Sequence, residues 1–222
     1  MLIAGRNGMM AGGKSILPPG ARWVEWLGST GTQFIETGIV FNPATDSIKA
    51  MLAVTQAPTQ AQRALFGARL RVDSGYSYLG LMCQQNALTS RIYPGYTALG
   101  IFTSSLQMLK YKFGIPGQYF GDFSFGGVTS TYQFPSSGIV PTNPLALLAY
   151  GSGPGSSYGN IPNAHIGMFD IYRNGAAIRK FRPIGTGTTG YMLDLVTGDY
   201  LQYGNAGTGD FVIGPDISAP AA

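Results

Sequence analysis

Glycine and proline interrupt this chain so often that turns are favoured over long helices. The 222 residues include 33 glycines and 14 prolines, and the segments between them are rich in branched and aromatic side chains. Such side chains pack well on the pleated surface of a sheet, whereas glycine and proline mark turns. The pattern predicts an all-β protein built from many short strands.

The β-favouring runs predict a series of strands separated by turns. They cover residues 22–27, 33–41, 47–55, 64–71, 76–82, 88–93, 106–113, 119–125, 128–134, 145–150, 165–173, 176–181 and 190–193. Asn174 and Gly175 separate two of these runs, and Asn-Gly is the strongest short-range hairpin signal because both turn positions need positive φ. We therefore predict that strands 165–173 and 176–181 are antiparallel neighbours.

The length of the chain predicts one large domain rather than two. Residues 1–20 are rich in glycine and methionine and end in Pro-Pro-Gly, which predicts an N-terminal arm or leader. We assign residues 21–216 to the sandwich domain and residues 217–222 to a C-terminal tail.

Charge and cysteine content exclude several classes of protein. Only 11% of the residues are charged, and the net charge of +4 comes from basic residues scattered along the chain. Such sparse charge releases few counterions, so we expect no nucleic-acid partner. The single cysteine, Cys83, excludes an internal disulfide and a cysteine-based zinc cluster, and we interpret it as a small buried hydrophobe.

The distribution of apolar residues predicts neither a membrane span nor a secretion signal. No stretch approaches the roughly 20 apolar residues that a spanning helix needs. The first ten residues lack a basic segment followed by a continuous apolar one. We therefore expect a protein made in the cytoplasm, either as a cytosolic protein or as part of a larger particle that leaves the cell.

The acidic residues and the lone histidine give little support to catalysis. None of the ten acidic residues forms the two-apart pair on one strand that glycoside hydrolases of similar architecture use. His165 is the sole histidine and therefore the one candidate base for a Ser-His-Asp arrangement, but a structural role is favoured. We predict no catalytic residues and no metal ligands, although a pair assembled from distant strands stays open.

Cofactors are not predicted, with calcium as the one alternative left open. Asp194 and Asp199 flank a Leu-Val-Thr-Gly turn, where two carboxylates could hold Ca²⁺. Aspartate beside a glycine-containing turn is ordinarily turn chemistry, and this interpretation is favoured.

Tyrosine and asparagine at predicted turns are the candidate ligand-binding residues. Sugar rings stack on exposed aromatic faces, while amides and hydroxyls bind their edges without requiring charge. The candidates are Tyr93, Tyr96, Tyr119, Tyr158 and Asn160. The competing interpretation for each tyrosine is that it covers a sheet edge or a subunit interface.

Two segments together resemble one known family. Residues 23–39 (WVEWLGSTGTQFIETGI) are similar to the opening of laminin-G-like, concanavalin A-like domains. Residues 169–175 (FDIYRNG), 181–184 (FRPI) and 190–200 (GYMLDLVTGDY) are similar to the closing segment, and 205–211 (NAGTGDF) continue that match. Residues 65–69 and 147–151 give looser matches between the two ends.

This resemblance spans roughly residues 22–214 and implies a two-sheet antiparallel jelly-roll β-sandwich of the concanavalin A type. The family often presents a glycan-facing or partner-facing surface and does not imply catalysis. Such domains are frequent in phages and prophages, so the resemblance implies a virion location and a structural or adhesive protein, such as a fibre, a tail-tip or a capsid-decorating component.

The implied partners are a cell-surface glycan or another virion protein, the latter through the N-terminal arm. We also expect a homo-oligomer, with a trimer as the first choice by analogy with fibres. The alternatives are a glycoside hydrolase and a host-encoded glycan-binding module on the same fold.

Overall fold

The computed structural model describes the chain in segments. They are residues 17–42, 45–56, 63–72, 75–84, 87–92, 95–101, 106–112, 121–125, 128–132, 143–149, 163–199 and 206–220. Most of the predicted arm, 1–16, and the tail residues 221–222 lie outside them. Within these segments no helix is both long and apolar enough to cross a membrane.

The described segments form strands connected by turns. The strands are β1 (Ala21–Trp23), β2 (Leu27–Thr30), β3 (Ile35–Val40), β4 (Asp46–Gln56), β5 (Arg63–Val72), β6 (Gly75–Gln84), β7 (Ala87–Ile92), β8 (Gly95–Ile101), β9 (Gln107–Lys112), β10 (Gly121–Phe125), β11 (Val128–Tyr132), β12 (Pro144–Leu147), β13 (Asn163–Arg173), β14 (Ala176–Thr186), β15 (Thr189–Asp194) and β16 (Val212–Ile213).

These strands build two antiparallel sheets. The ten-stranded sheet has the order β1-β14-β13-β4-β9-β10-β11, with β15 also paired to β14, β2 paired to β13, and β16 paired to β2. The six-stranded sheet has the order β3-β12-β5-β6-β7-β8. The prediction of an all-β sandwich built from two antiparallel sheets is confirmed.

The main hydrophobic core lies between the two sheets. Phe66 of β5, in the six-stranded sheet, packs edge to face against Phe169 of β13, with ring centroids 5.4 Å apart. Alternate residues of β4, namely Ile48, Ala50 and Leu52, are buried in the same core. The period-2 pattern of β4 therefore points one side of the strand into the sandwich.

The predicted hairpin is confirmed, with Asn174 at φ 50° and Gly175 at φ 81° between β13 and β14. Other strands differ from prediction because their partners change. The run 22–27 divides into β1, which pairs with β14, and β2, which pairs with β13 and β16. Strands β8 and β16 were not predicted, and β14 continues to Thr186, where Gly187 at φ 58° turns the chain into β15.

A smaller apolar cluster lies apart from the main core, where β1, β14 and β15 meet. Trp23, Ile184 and Leu193 are buried in it, and Leu17 and Tyr191 pack against it. Along β14, Phe181 belongs to the main core and Ile184 to this smaller cluster. The ten-stranded sheet therefore buries side chains on part of its outer face as well as on its inner face.

Candidate binding face

The outward positions of β4 define the centre of the candidate site. Lys49 and Met51 alternate with the core residues of that strand, so they project from the outer face of the ten-stranded sheet. Lys49 is exposed and Met51 is half-buried. We call the outer surface around these two residues the binding face.

Strand β13, which pairs with β4, has a β-bulge beside this face. Ile166 pairs with Leu52 and Phe169 pairs with Ala50, so that residues 167 and 168 of β13 stand opposite one residue of β4. Both Ile166 and Phe169 remain buried in the core. The extra residue allows two core side chains that are three positions apart to point the same way.

The bulge places methionine beside methionine on the outer side. Met168 is half-buried and is not part of the core cluster. A Cβ built on Gly167 would lie 3.2 Å from Cβ of Met51, so the bulge contacts that methionine directly. On the other side, Met51 pairs with Met108 of β9, whose side chain is 41% exposed. Met108, Met51 and Met168 therefore form an apolar methionine strip across three strands.

A row of charged residues lies next to the methionine strip. Asp170 of β13 pairs in register with Lys49 of β4 on one side and with Lys180 of β14 on the other. The Asp170 carboxylate is buried and is bound by two nitrogens of Arg182, with Nη2 3.3 Å from Oδ2. The one acidic group of the row is therefore already neutralised by a residue outside it.

Tyr172 continues this charged region along β13. Its hydroxyl donates to Oδ2 of Asp170 at 3.4 Å, and Nζ of Lys49 lies 5.0 Å from its ring centroid. Burial raises the pKa of Tyr172, and the charge and hydrogen bond of Asp170 raise it further. The phenol therefore remains a donor at neutral pH.

Strand β9 pairs with β4 and places two more lysines in register with its outward positions. Lys110 occupies the position opposite Lys49, and Lys112 occupies the position opposite Ser47. The sequence predicts that these two lysines share a face of their strand because they are two residues apart. The register places both of them beside the outward positions of β4.

At the opposite end of β13, two aromatic rings form a stack. The indole of Trp26 and the imidazole of His165 lie 3.5 Å apart between centroids, at an interplanar angle of 6°. A Cβ on Gly28 would lie 3.0 Å from Cδ2 of His165 and 3.1 Å from Cζ3 of Trp26. The two rings therefore occupy the space that a side chain at Gly28 would need.

The second face of the Trp26 indole is covered by the C-terminal segment. A Cβ built on Gly214 would lie 2.7 Å from Cδ2 and 2.9 Å from Cε2 of Trp26, the two atoms shared by the indole rings. That position is over a ring face, and His165 already occupies the other one. The indole is held between an imidazole and a glycine, so neither ring face is free to stack on a ligand.

His165 is half-buried, with its imidazole against the indole of Trp26. Burial lowers its pKa from the ordinary value of 6.5, while the negative charge of Glu25 acts in the opposite direction. The net effect favours the neutral imidazole. Neutral imidazole is the form that stacks on Trp26 at lowest desolvation cost.

The buried carboxylates outside this face are also bound to arginine. Asp46, whose side chain is fully buried, accepts hydrogen bonds at 2.8 Å from both Nε and Nη2 of Arg173. It also accepts from the N–H of Asn42 and the hydroxyl of Thr45. Burial acts to raise the pKa of Asp46, but these hydrogen bonds outweigh it and lower the pKa below 3.8.

Asp194 is a turn residue, as the favoured interpretation predicts. Its Oδ1 accepts from the N–H groups of Lys180 and Val196 at 3.0 Å, and its Oδ2 accepts from the Thr197 hydroxyl at 2.9 Å. Nε of Arg179 lies 3.3 Å from the same Oδ2. Within the described part of the chain, no three His, Cys, Asp or Glu side chains form a group that could hold a metal ion.

Of the tyrosines and the asparagine predicted to bind a ligand, the structure describes Tyr96 alone. Tyr93, Tyr119, Tyr158 and Asn160 lie outside the described residues. Tyr96 is the second residue of β8, where it pairs in register with Arg91, rather than a turn residue. The Pro94-Gly95 pair predicts a turn that includes Tyr96, but β8 begins at Gly95 itself.

The sequence did not lead us to predict the residues of the binding face as a site. One sequence signal was present: Met51 alternates with buried residues along β4, so its outward direction follows from period 2. Met108, Met168 and the Trp26–His165 stack required knowledge of which strands pair.

The sequence matches no protein-family model, and no curated protein matches it.

Proposed function

We propose that the protein is a non-enzymatic structural or adhesive component of a phage virion, of laminin-G-like, concanavalin A-like type. Its sandwich binds a surface glycan or another virion protein. The observation that carries the proposal is the binding face, which places an apolar strip on the outside of a sheet beside Lys49 and Lys180, two lysines that form no ion pair among the described residues. Outward sheet positions are ordinarily polar, and an apolar group there is typical of an interaction site.

The state of the buried carboxylates supports a binding role rather than catalysis. Asp46, Asp170 and Asp194 each contact an arginine, in every case with the nitrogen and oxygen within ion-pair distance. A general acid or base must exchange protons with a substrate near the working pH. A carboxylate whose oxygens already accept from an arginine has fewer lone pairs to offer a substrate and is poorly suited to that task.

The test is whether the protein is part of a particle. A tagged chain is expressed in the cell that encodes it, the particles are purified on a density gradient, and the protein is quantified in each fraction. The proposal predicts a constant ratio of this protein to capsid and tail proteins across the particle peak. Recovery of the protein in the soluble fractions alone would contradict it.

A glycan array, read with and without calcium, distinguishes the two kinds of ligand. Retention of one glycan class would support the adhesive role. Binding to none of the glycans would favour another virion protein as the ligand. Recovering the array glycans afterwards and measuring their length tests the enzymatic alternative, because shortened chains would show hydrolysis.

A further inference from the structure

The methionine strip is an apolar surface in a position that the fold does not require to be apolar. Met108 is 41% exposed, and Met51 and Met168 are half-buried on the outer side of the sheet. Flexible methionine side chains are common on surfaces that bind other proteins, and methionine is enriched in interfaces. Along β13, the strip lies between the row of charged residues at Asp170 and the Trp26–His165 stack.

We propose that the binding face docks a different protein, whose contact surface has an apolar centre and an acidic rim. The methionine strip takes the apolar centre, and Lys49 and Lys180 take the rim. This inference rests on the proposed function and selects a protein rather than a glycan as the ligand of this face.

The geometry of the aromatic pair favours protein over polysaccharide. A sugar ring binds by stacking on an exposed aromatic face. The indole of Trp26 has one face against His165 and the other against Gly214. On the same face Nζ of Lys49 lies 5.0 Å from the centroid of the Tyr172 ring, and the exposed apolar part is methionine thioether, which fills an irregular apolar partner surface and offers no flat platform to a sugar.

The charges on the face determine which charge the contact surface of a partner must carry. Asp170 is bound to Arg182 and Tyr172, and among the described residues neither Lys49 nor Lys180 takes part in an ion pair. Both lysines are therefore available to a carboxylate at the rim of a partner. Opposite charges across a rim guide association and select between partners.

A second copy of this chain has the wrong charge for the face. The chain carries a net charge of +4, and Glu25 is the exposed acid beside the Trp26–His165 stack. Two copies docked through this face would bring several lysines together against two such glutamates. The complementary surface belongs to an acidic molecule.

The experiment measures the affinity of the whole chain for fluorescent twelve-residue peptides by anisotropy. One peptide has a leucine–serine alternation flanked by glutamates, a second has lysine flanks, and a third keeps the glutamates but has serine throughout the centre. The inference predicts that the first binds at least about tenfold more tightly than the other two, the ratio that about 1.4 kcal/mol gives. Polygalacturonate is the polysaccharide probe and is expected not to compete.

Two variants test the two parts of the face. Met108→Gln is expected to weaken binding of the first peptide by about three- to tenfold through loss of apolar contact. The double variant Lys49→Gln, Lys180→Gln is expected to lose about tenfold and most of the salt dependence. Each variant is first checked by its thermal midpoint, because a surface change should leave folding intact.

Matched controls come from elsewhere on the chain. Val40→Gln replaces a side chain of similar exposure, 44%, in the six-stranded sheet. Arg22→Gln removes an exposed cation of β1 that pairs with Asp216. Both are expected to bind the first peptide as the unchanged protein does.

Several results would overturn the inference. They are equal binding of all three peptides, preference for polygalacturonate, no binding of any probe, loss of binding in the control variants, and a dimer in sedimentation that Met108→Gln dissociates. Particle recovery is measured separately, so that a particle protein without peptide binding would contradict this inference and leave the proposed function standing.

Discussion

The two faces of the ten-stranded sheet differ in what explains their residues. On the inner face, Ile48, Leu52 and Phe169 are buried against the six-stranded sheet, and burial alone accounts for their apolar character. On the outer face, Met51 and Met108 are apolar, and no second sheet formed by the described residues covers them. Folding explains the apolar residues of the inner face, so those of the outer face are the ones that need a functional explanation.

The largest expected effect is on the inner face. Phe169→Ala removes a buried ring that packs against Phe66, so we expect a loss of about 3–5 kcal/mol in unfolding free energy. Tyr172→Ala, on the outer face of the same strand, should cost about 1 kcal/mol. Urea unfolding measures both, and similar losses for the two variants would break the distinction between the faces.

The next effect concerns the covered indole. Gly214→Ala places a Cβ within 2.7 Å of Trp26, so we expect a loss of about 1–3 kcal/mol from overpacking. In a Trp26→Leu background the same change should cost less but still destabilise, because the smaller side chain makes room while the carbonyl oxygen of residue 26 stays 2.9 Å from the new Cβ. Thermal unfolding monitors both, and an unchanged midpoint in the single variant would show that Trp26 is free on that side.

A third effect is on the stability of the protein at low pH. The pKa of Asp46 is lowered by its partners despite burial, so its contribution to stability is present above about pH 4 and is lost as pH falls through the lowered value. Asp46→Asn should lower stability by about 1 kcal/mol at pH 7 and less below pH 3, since Arg173 is half-exposed. A difference from the unchanged protein that grows toward low pH would contradict this.

The smallest expected effect concerns the sole histidine. Burial lowers the pKa of His165, so the unfolded imidazole binds a proton more readily than the folded one. Its contribution to stability is therefore present above about pH 6.5 and lost as pH falls through the lowered pKa. An NMR titration of the imidazole should give a pKa below 6.5, and a value above it would contradict the covered stack.

Local chemistry predicted the parts of the fold that depend on neighbouring residues. The Asn174–Gly175 hairpin follows from the two positive φ angles that the turn needs, and the direction of Met51 follows from alternation. Asp194 likewise acts as a turn residue through groups that follow it closely in sequence, Val196 and Thr197.

Long-range pairing decided the rest. The bulge at residues 167 and 168 exists because β13 must match β4, and the break between β1 and β2 exists because the chain changes partner strand. The stack of Trp26 on His165 joins residues that only the pairing of β2 with β13 brings together. None of these contacts has a local signal, so the candidate site could not be located from the sequence.

The contrast between the two faces can be measured directly by methionine oxidation. Folded protein is treated with dilute hydrogen peroxide, and the sulfoxide at each methionine is followed by mass spectrometry. Met108 on the outer face should oxidise rapidly, and Met192, which is buried in the main core, should be protected until the protein unfolds. Equal rates at the two methionines would contradict the account, because the outer face would then be as covered as the core or the core as open as the face.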